Sequence, residues 1–138
     1  MLLAIDIGNS YTKFGIFESS SLIDKFSIPT ERDYAVEEFR LDRLKGGTLN
    51  FDSILVASVV PELNQILTEA MLSHLNVEPR FIDHSSDFGL TIDYLPPEAA
   101  GIDRLVNASA AAAGYGTPVI ACSFGTARVS LRDIVDMR

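Results

Sequence analysis

The chain has no tryptophan, one cysteine, and only 11 lysines and arginines against 19 aspartates and glutamates, a formal net charge of −8. Each shortage excludes something. Cys122 alone cannot close an internal disulfide, so a disulfide-stapled scaffold is excluded and a reducing, cytoplasmic compartment is expected. Its neighbours Ile120 and Ala121 predict a buried strand thiol. The scarce bases form no cluster that could neutralise a nucleic-acid backbone, so nucleic acid is not an expected partner. No apolar run approaches the roughly 20 residues that cross a bilayer, and no membrane role is expected. The opening MLLAIDIGNS meets Asp6 without a basic region or a long apolar stretch, so no secretory signal is visible. A small phosphorylated ligand stays open to an acidic protein, because backbone N–H groups and a metal ion can hold phosphate without net positive charge.

What is there suffices for a core: 138 residues, 47% of them hydrophobic, are expected to form one globular domain. Residues 2–7, LLAIDI, read as a strand that is apolar on both sides, interrupted by one carboxylate and stopped by Gly8-Asn9-Ser10. Tyr11 to Phe17 alternates and returns as a hairpin partner. Glu18 to Ser21 makes the next turn, and Leu22 to Ile28 gives a third strand ended by Pro29. Then the pattern changes. Val36, Phe39, Leu41 and Leu44 suit a short helix over 33–44, stopped by Gly46-Gly47. Ser53 to Ala57 is a strand, and from Pro61 a helical spacing of Leu63, Ile66, Leu67, Ala70, Met71 and Leu75 runs to Asn76. Arg80 to Ile82 is a short strand, Pro96-Pro97 imposes an extended approach to Gly101, and a helix runs from Ile102 to Gly114 and Gly116. Pro118 to Cys122 is a further strand. The expected class is α/β, a mixed sheet with an antiparallel N-terminal meander followed by alternating helices and strands. The opening meander speaks against a flavodoxin-like receiver domain.

Three short segments could carry chemistry. In Asp6-Ile7-Gly8-Asn9-Ser10, Gly8 permits close backbone approach, Asn9 and Ser10 add donors that could cradle phosphate, and Asp6 would face a metal. The same five residues also make an ordinary hairpin turn. An acid inside an apolar strand tilts the balance, since a buried carboxylate needs a partner. In Gly101-Ile102-Asp103-Arg104, Asp103 sits in a first helical turn, where it could accept a proton from a substrate hydroxyl or simply stabilise the helix; Asn107 follows one turn later. Ser123-Phe124-Gly125-Thr126 is a second Gly/Thr turn after a strand. Lys13 could reach a phosphate but reads first as an exposed strand lysine. His74 reads as a helix-surface residue and His84 as a loop residue, and no grouping has metal-cage spacing.

Taken together, Asp6-Ile7-Gly8-Asn9-Ser10 with Gly15, Ala57-Ser58-Val59-Val60-Pro61, Gly101-Ile102-Asp103-Arg104 with Asn107 and Ala110, and Phe124-Gly125-Thr126-Ala127 resemble the type III pantothenate kinases. These are similar to the Bvg accessory factor proteins and belong to the actin/Hsp70/sugar-kinase superfamily. The resemblance covers most of residues 1–127. It implies a ribonuclease H-like lobe and ATP-dependent phosphorylation of the primary hydroxyl of pantothenate, the first step of coenzyme A biosynthesis. It also implies roles: Asp6 placing Mg²⁺; Gly8, Asn9, Ser10, Gly125 and Thr126 lining the ATP phosphates; Asp103 as catalytic base; Tyr94, Gly101 and Arg104 bordering pantothenate. A monovalent cation, K⁺ or NH₄⁺, and a homodimer are implied as well.

Two features depart from the family pattern. Ser123 stands where the second phosphate motif carries aspartate, and a neutral hydroxyl does not supply a carboxylate's charge beside a cation. After Ala127 the chain runs Arg128-Val129-Ser130-Leu131 and stops at Arg138. The expected organisation is therefore a lobe over 1–127, an atypical or truncated tail over 128–138, and no second lobe. On this reading the chain alone is impaired as a kinase. The alternative is a non-catalytic binding or regulatory domain that keeps the kinase fold.

Overall fold

The computed structural model describes residues 1–33, 44 and 49–123 and the backbone of 134–135, in two compact units, Met1–Phe81 and Ile82–Arg138. In the first unit, β1 (Leu2–Ile7), β2 (Tyr11–Glu18) and β3 (Ser21–Pro29) form the meander, followed by β4 (Ser53–Ser58), α1 (Asn64–Leu75) and β5 (Pro79–Phe81). They build a five-stranded mixed sheet in the order β3-β2-β1-β4-β5. β2 lies antiparallel to both β1 and β3, whereas β4 runs parallel to β1 and to β5.

The period-two alternation explains which side is buried. Leu3, Ile5 and Ile7 of β1 pair with Ile16, Phe14 and Thr12 of β2, and all six are at most 3% exposed. Phe14 stacks on Phe26 of β3, ring centroids 4.6 Å apart. Ile54 and Val56 of β4 extend the same face, and Leu63, Leu67, Ala70 and Met71 complete the cluster. Each large side chain so buried is worth about 1.5–3 kcal/mol against leaving it in water.

Turn chemistry sets the ends. Pro61 opens a short 3₁₀ turn, Pro61–Leu63, and α1 proper begins at Asn64, three residues later than the apolar spacing alone predicts. Asn76 ends it in the left-handed conformation, φ 55°. The helix expected over 33–44 lies outside the described residues except for its ends: Asp33 is in a turn and exposed, and Leu44 is helical and buried.

In the second unit α2 (Ile102–Tyr115) buries Ile102, Leu105, Ala108 and Ala112, the spacing of a single helical stripe. The extended approach expected from Pro96-Pro97 is interrupted by a 3₁₀ turn at Pro97–Ala99, after which Ala100 and Gly101 are extended. The strand expected over 118–122 is only β6 (Val119–Ile120), and it pairs antiparallel with β7 (Ile134–Val135) in a separate two-stranded sheet. Cys122 therefore lies beyond the strand end and is exposed, which corrects the expectation of a buried thiol.

Candidate functional site

The β1–β2 turn is held from several directions. Gly8 N–H donates to the Tyr11 carbonyl at 3.1 Å and closes the turn. A Cβ on Gly8 would stand 3.1 Å from that same oxygen, so the tight closure favours glycine. Thr30 N–H donates to the Ser10 carbonyl at 2.9 Å, and the hydroxyls of Thr30 and fully buried Thr12 are 3.0 Å apart. On the other flank Val59 N–H donates to the Ile7 carbonyl at 3.0 Å, and Val60 N–H to Ser58 Oγ at 3.2 Å. The turn thus sits where parallel β1 and β4 both reach their carboxyl ends, the place where open α/β sheets bind ligands.

Asp6 points to the face opposite Leu3, Ile5 and Ile7. Its side chain is 42% exposed and forms an ion pair with Lys13, Nζ to Oδ2 3.2 Å. The buried carboxylate expected from the apolar strand is thereby corrected: alternation turns Asp6 away from the core, and the hairpin register sets Lys13 directly across from it. Lys13, which sequence reasoning left as a surface residue, is the cation beside this carboxylate. Pairing outward from the Gly8–Ser10 turn is the signal that could have placed it. Arg32 and Glu62 were missed altogether. The Arg32 guanidinium grips the Glu62 carboxylate, and its Nη2 donates to Asn9 Oδ1 at 3.3 Å. No local motif marks this cluster, because its members are brought together from three separate segments.

In the second unit, Gly101 caps the N-terminus of α2, and its carbonyl accepts from Arg104 N–H at 3.0 Å and Leu105 N–H at 3.2 Å. Asp103 lies in the first turn, half-buried, as is Arg104; Asn107 is exposed and Tyr94 is 40% exposed. A Cβ on Gly101 would come within 2.5 Å of Asp103 Oδ1, so glycine leaves the space that this carboxylate occupies. His84 Nε2 bonds the Ala100 carbonyl at 2.8 Å, and Ser109 Oγ donates to the Phe88 carbonyl at 2.7 Å, tying the preceding loop to the start and middle of α2. At the loop's head the Asp83 carboxylate accepts from Ser85 N–H at 2.8 Å and Ser85 Oγ at 2.6 Å, which holds its pKa below the ordinary carboxylate value.

Gly125 and Thr126 lie outside the described residues, and Ser123 is exposed. Among the described residues no three His, Cys, Asp or Glu side chains gather to hold a metal ion. Magnesium, however, commonly takes one or two carboxylates and completes its shell with water and substrate phosphate. The half-exposed Asp6 has the donor chemistry for that role. Among the described residues no helix is long and apolar enough to cross a membrane.

The profile of one family, described as type III pantothenate kinase, matches residues 2–134. Curated proteins of that name are similar over 92% of the chain: the one from Desulfosudis oleivorans is 38% identical over 135 residues, and the one from Desulforapulum autotrophicum 39% over 135. A third, from Finegoldia magna, is 33% identical over 135 residues. The match covers 52%, 51% and 51% of these relatives, so the chain spans about half their length.

Proposed function

Since this chain belongs to the type III pantothenate kinase family, we propose that it supplies the N-terminal half of an enzyme that phosphorylates pantothenate with ATP, opening coenzyme A biosynthesis. The antiparallel meander running into parallel β4 and β5 is consistent with a lobe of the actin/Hsp70/sugar-kinase fold. The observation that carries the reading is the braced Asp6–Ser10 turn at the carboxyl ends of β1 and β4. Gly8, Asn9 and Ser10 would line the ATP phosphates, the role that resemblance to the family also gives Gly125 and Thr126. Asp6 would hold Mg²⁺, which would supply charge neutralisation at the phosphates. Tyr94, Gly101 and Arg104 border pantothenate.

Phosphoryl transfer asks mainly for positioning and charge neutralisation, so a short list of groups suffices. The hydroxyl oxygen of pantothenate forms the new bond to the γ-phosphorus, the bond to the β-bridging oxygen breaks, and ADP departs. Asp103 takes the hydroxyl proton. A cytoplasmic homodimer that uses K⁺ or NH₄⁺ completes the proposal. Ser123 favours a second reading, a binding or regulatory domain, because a hydroxyl there weakens the hold on a cation.

The test is ADP release that depends on pantothenate, with the chain supplemented by the C-terminal half of the Desulfosudis oleivorans relative. Asp103→Asn should lower kcat by about 10²–10⁴-fold, the range for loss of a general base. Turnover within a factor of about two of the parent, with circular dichroism unchanged, removes Asp103 from that role.

A further inference from the structure

Arg32 follows β3 and touches two other segments. Its guanidinium meets Glu62 in the turn Pro61–Leu63 after β4, and its Nη2 donates to Asn9 Oδ1 at 3.3 Å in the β1–β2 turn. Two residues earlier, Thr30 N–H holds the Ser10 carbonyl. We propose that Arg32 is a positioning residue: anchored by Glu62, it fixes the Asn9 side-chain amide with Oδ1 toward the guanidinium and leaves the Nδ2 end as the donor for a polyphosphate.

A primary amide presents an acceptor at one end and two N–H donors at the other, and only the donor end can serve an anion. Free rotation of Asn9 would offer either end. A guanidinium has donors alone, so its contact with Asn9 selects Oδ1. Glu62 supplies the reason Arg32 stays in place. It neutralises the guanidinium and orients it, so Arg32 does not itself compete for the anion. The same pairing ties the turn after β1 to the turn after β4, the two that flank the carboxyl end of the parallel pair. A lysine would keep the charge but lose the planar fork that reaches both partners.

The arms of Arg32 and Glu62 are more than half exposed, so the restraint is modest. Its loss should speed amide exchange at Asn9 and Ser10 by about two- to fivefold, the scale of a solvent-exposed charged contact. The inference rests on the turn being a phosphate loop, so its test reads the turn first without ligand and then with MgATP and the C-terminal half of the Desulfosudis oleivorans relative. On the ¹⁵N-labelled chain, Arg32→Ala and Glu62→Gln should move the Asn9 side-chain NH₂ signals and accelerate exchange at Asn9 and Ser10, while the amides of Ile5 and Val56 stay unchanged. Arg32→Lys should recover only part of the effect. MgATP should shift the Asn9 NH₂ pair in the complemented parent, and Arg32→Ala should weaken its binding by about two- to fivefold. Asn9 signals identical in parent and Arg32→Ala overturn the positioning role even if MgATP binds both equally. Signals that change on substitution but ignore MgATP in the complemented parent overturn the phosphate-loop reading and leave the contact merely structural.

Discussion

Gly101 lacks a side chain where one would stand 2.5 Å from Asp103 Oδ1. The atom it would strike is the end of a short flexible side chain, so Gly101→Ala should turn the carboxylate aside while α2 stays folded. Activity of the complemented enzyme should fall well before stability does; an unfolding midpoint that drops while kcat holds would contradict this. Asp6 is a parallel case. Its carboxylate is 42% exposed and paired with an exposed lysine, so Asp6→Asn should cost about 1 kcal/mol or less in urea unfolding. Response to Mg²⁺ should nonetheless disappear in MgATP titration. At this scale the residue types were legible in the sequence but their surroundings were not. Asp6 stood out as a carboxylate in an apolar strand, yet whether it faced core or solvent depended on a phase of alternation that a strand apolar on both sides conceals. Arg32 gave no sign, because its partners Asn9 and Glu62 are 23 and 30 positions away.

Among the elements, the meander and α1 were readable because each carries its own period and its own stop. Leu67 shows what α1 contributes: it is fully buried against the sheet, so Leu67→Ala should destabilise the first unit by about 2–5 kcal/mol in urea unfolding. A loss under about 1 kcal/mol would mean that the helix can collapse onto the gap or is not packed as described. β6 was the harder element. Its length is set by pairing with Ile134–Val135, a partner well separated in sequence, so the apolar run to Cys122 overstated it.

The loop before α2 supplies a pH prediction. Asp83 accepts hydrogen bonds from Ser85 that hold its pKa below the ordinary value, so the ionised form is favoured in the folded state. The stabilisation is present above the unfolded carboxylate's pKa, near 4, and is lost as pH falls through the lower folded value. Asp83→Asn should therefore flatten the acid limb of stability slightly, and because the group is fully exposed the difference should be small. Identical acid limbs in parent and variant would remove these bonds from the account.

For the molecule as a whole, the acidic balance of 19 to 11 is compatible with a polyphosphate site built from backbone groups and one cation-binding carboxylate. The chain matches about half the length of its relatives, and ATP-dependent transfer relies on groups that surround both substrates and exclude water. The central claim, that these 138 residues carry the phosphate loop and the base of a pantothenate kinase, predicts dependence on the remaining half. The direct measurement is phosphopantothenate formation, followed by ³¹P resonance, with the chain alone, with the C-terminal half of a relative added, and with both halves plus Ser123→Asp. The account predicts no appreciable product from the chain alone, formation on complementation, and a further rise with Ser123→Asp. Clear turnover by the chain alone, or none from complementary halves shown to associate, would contradict it.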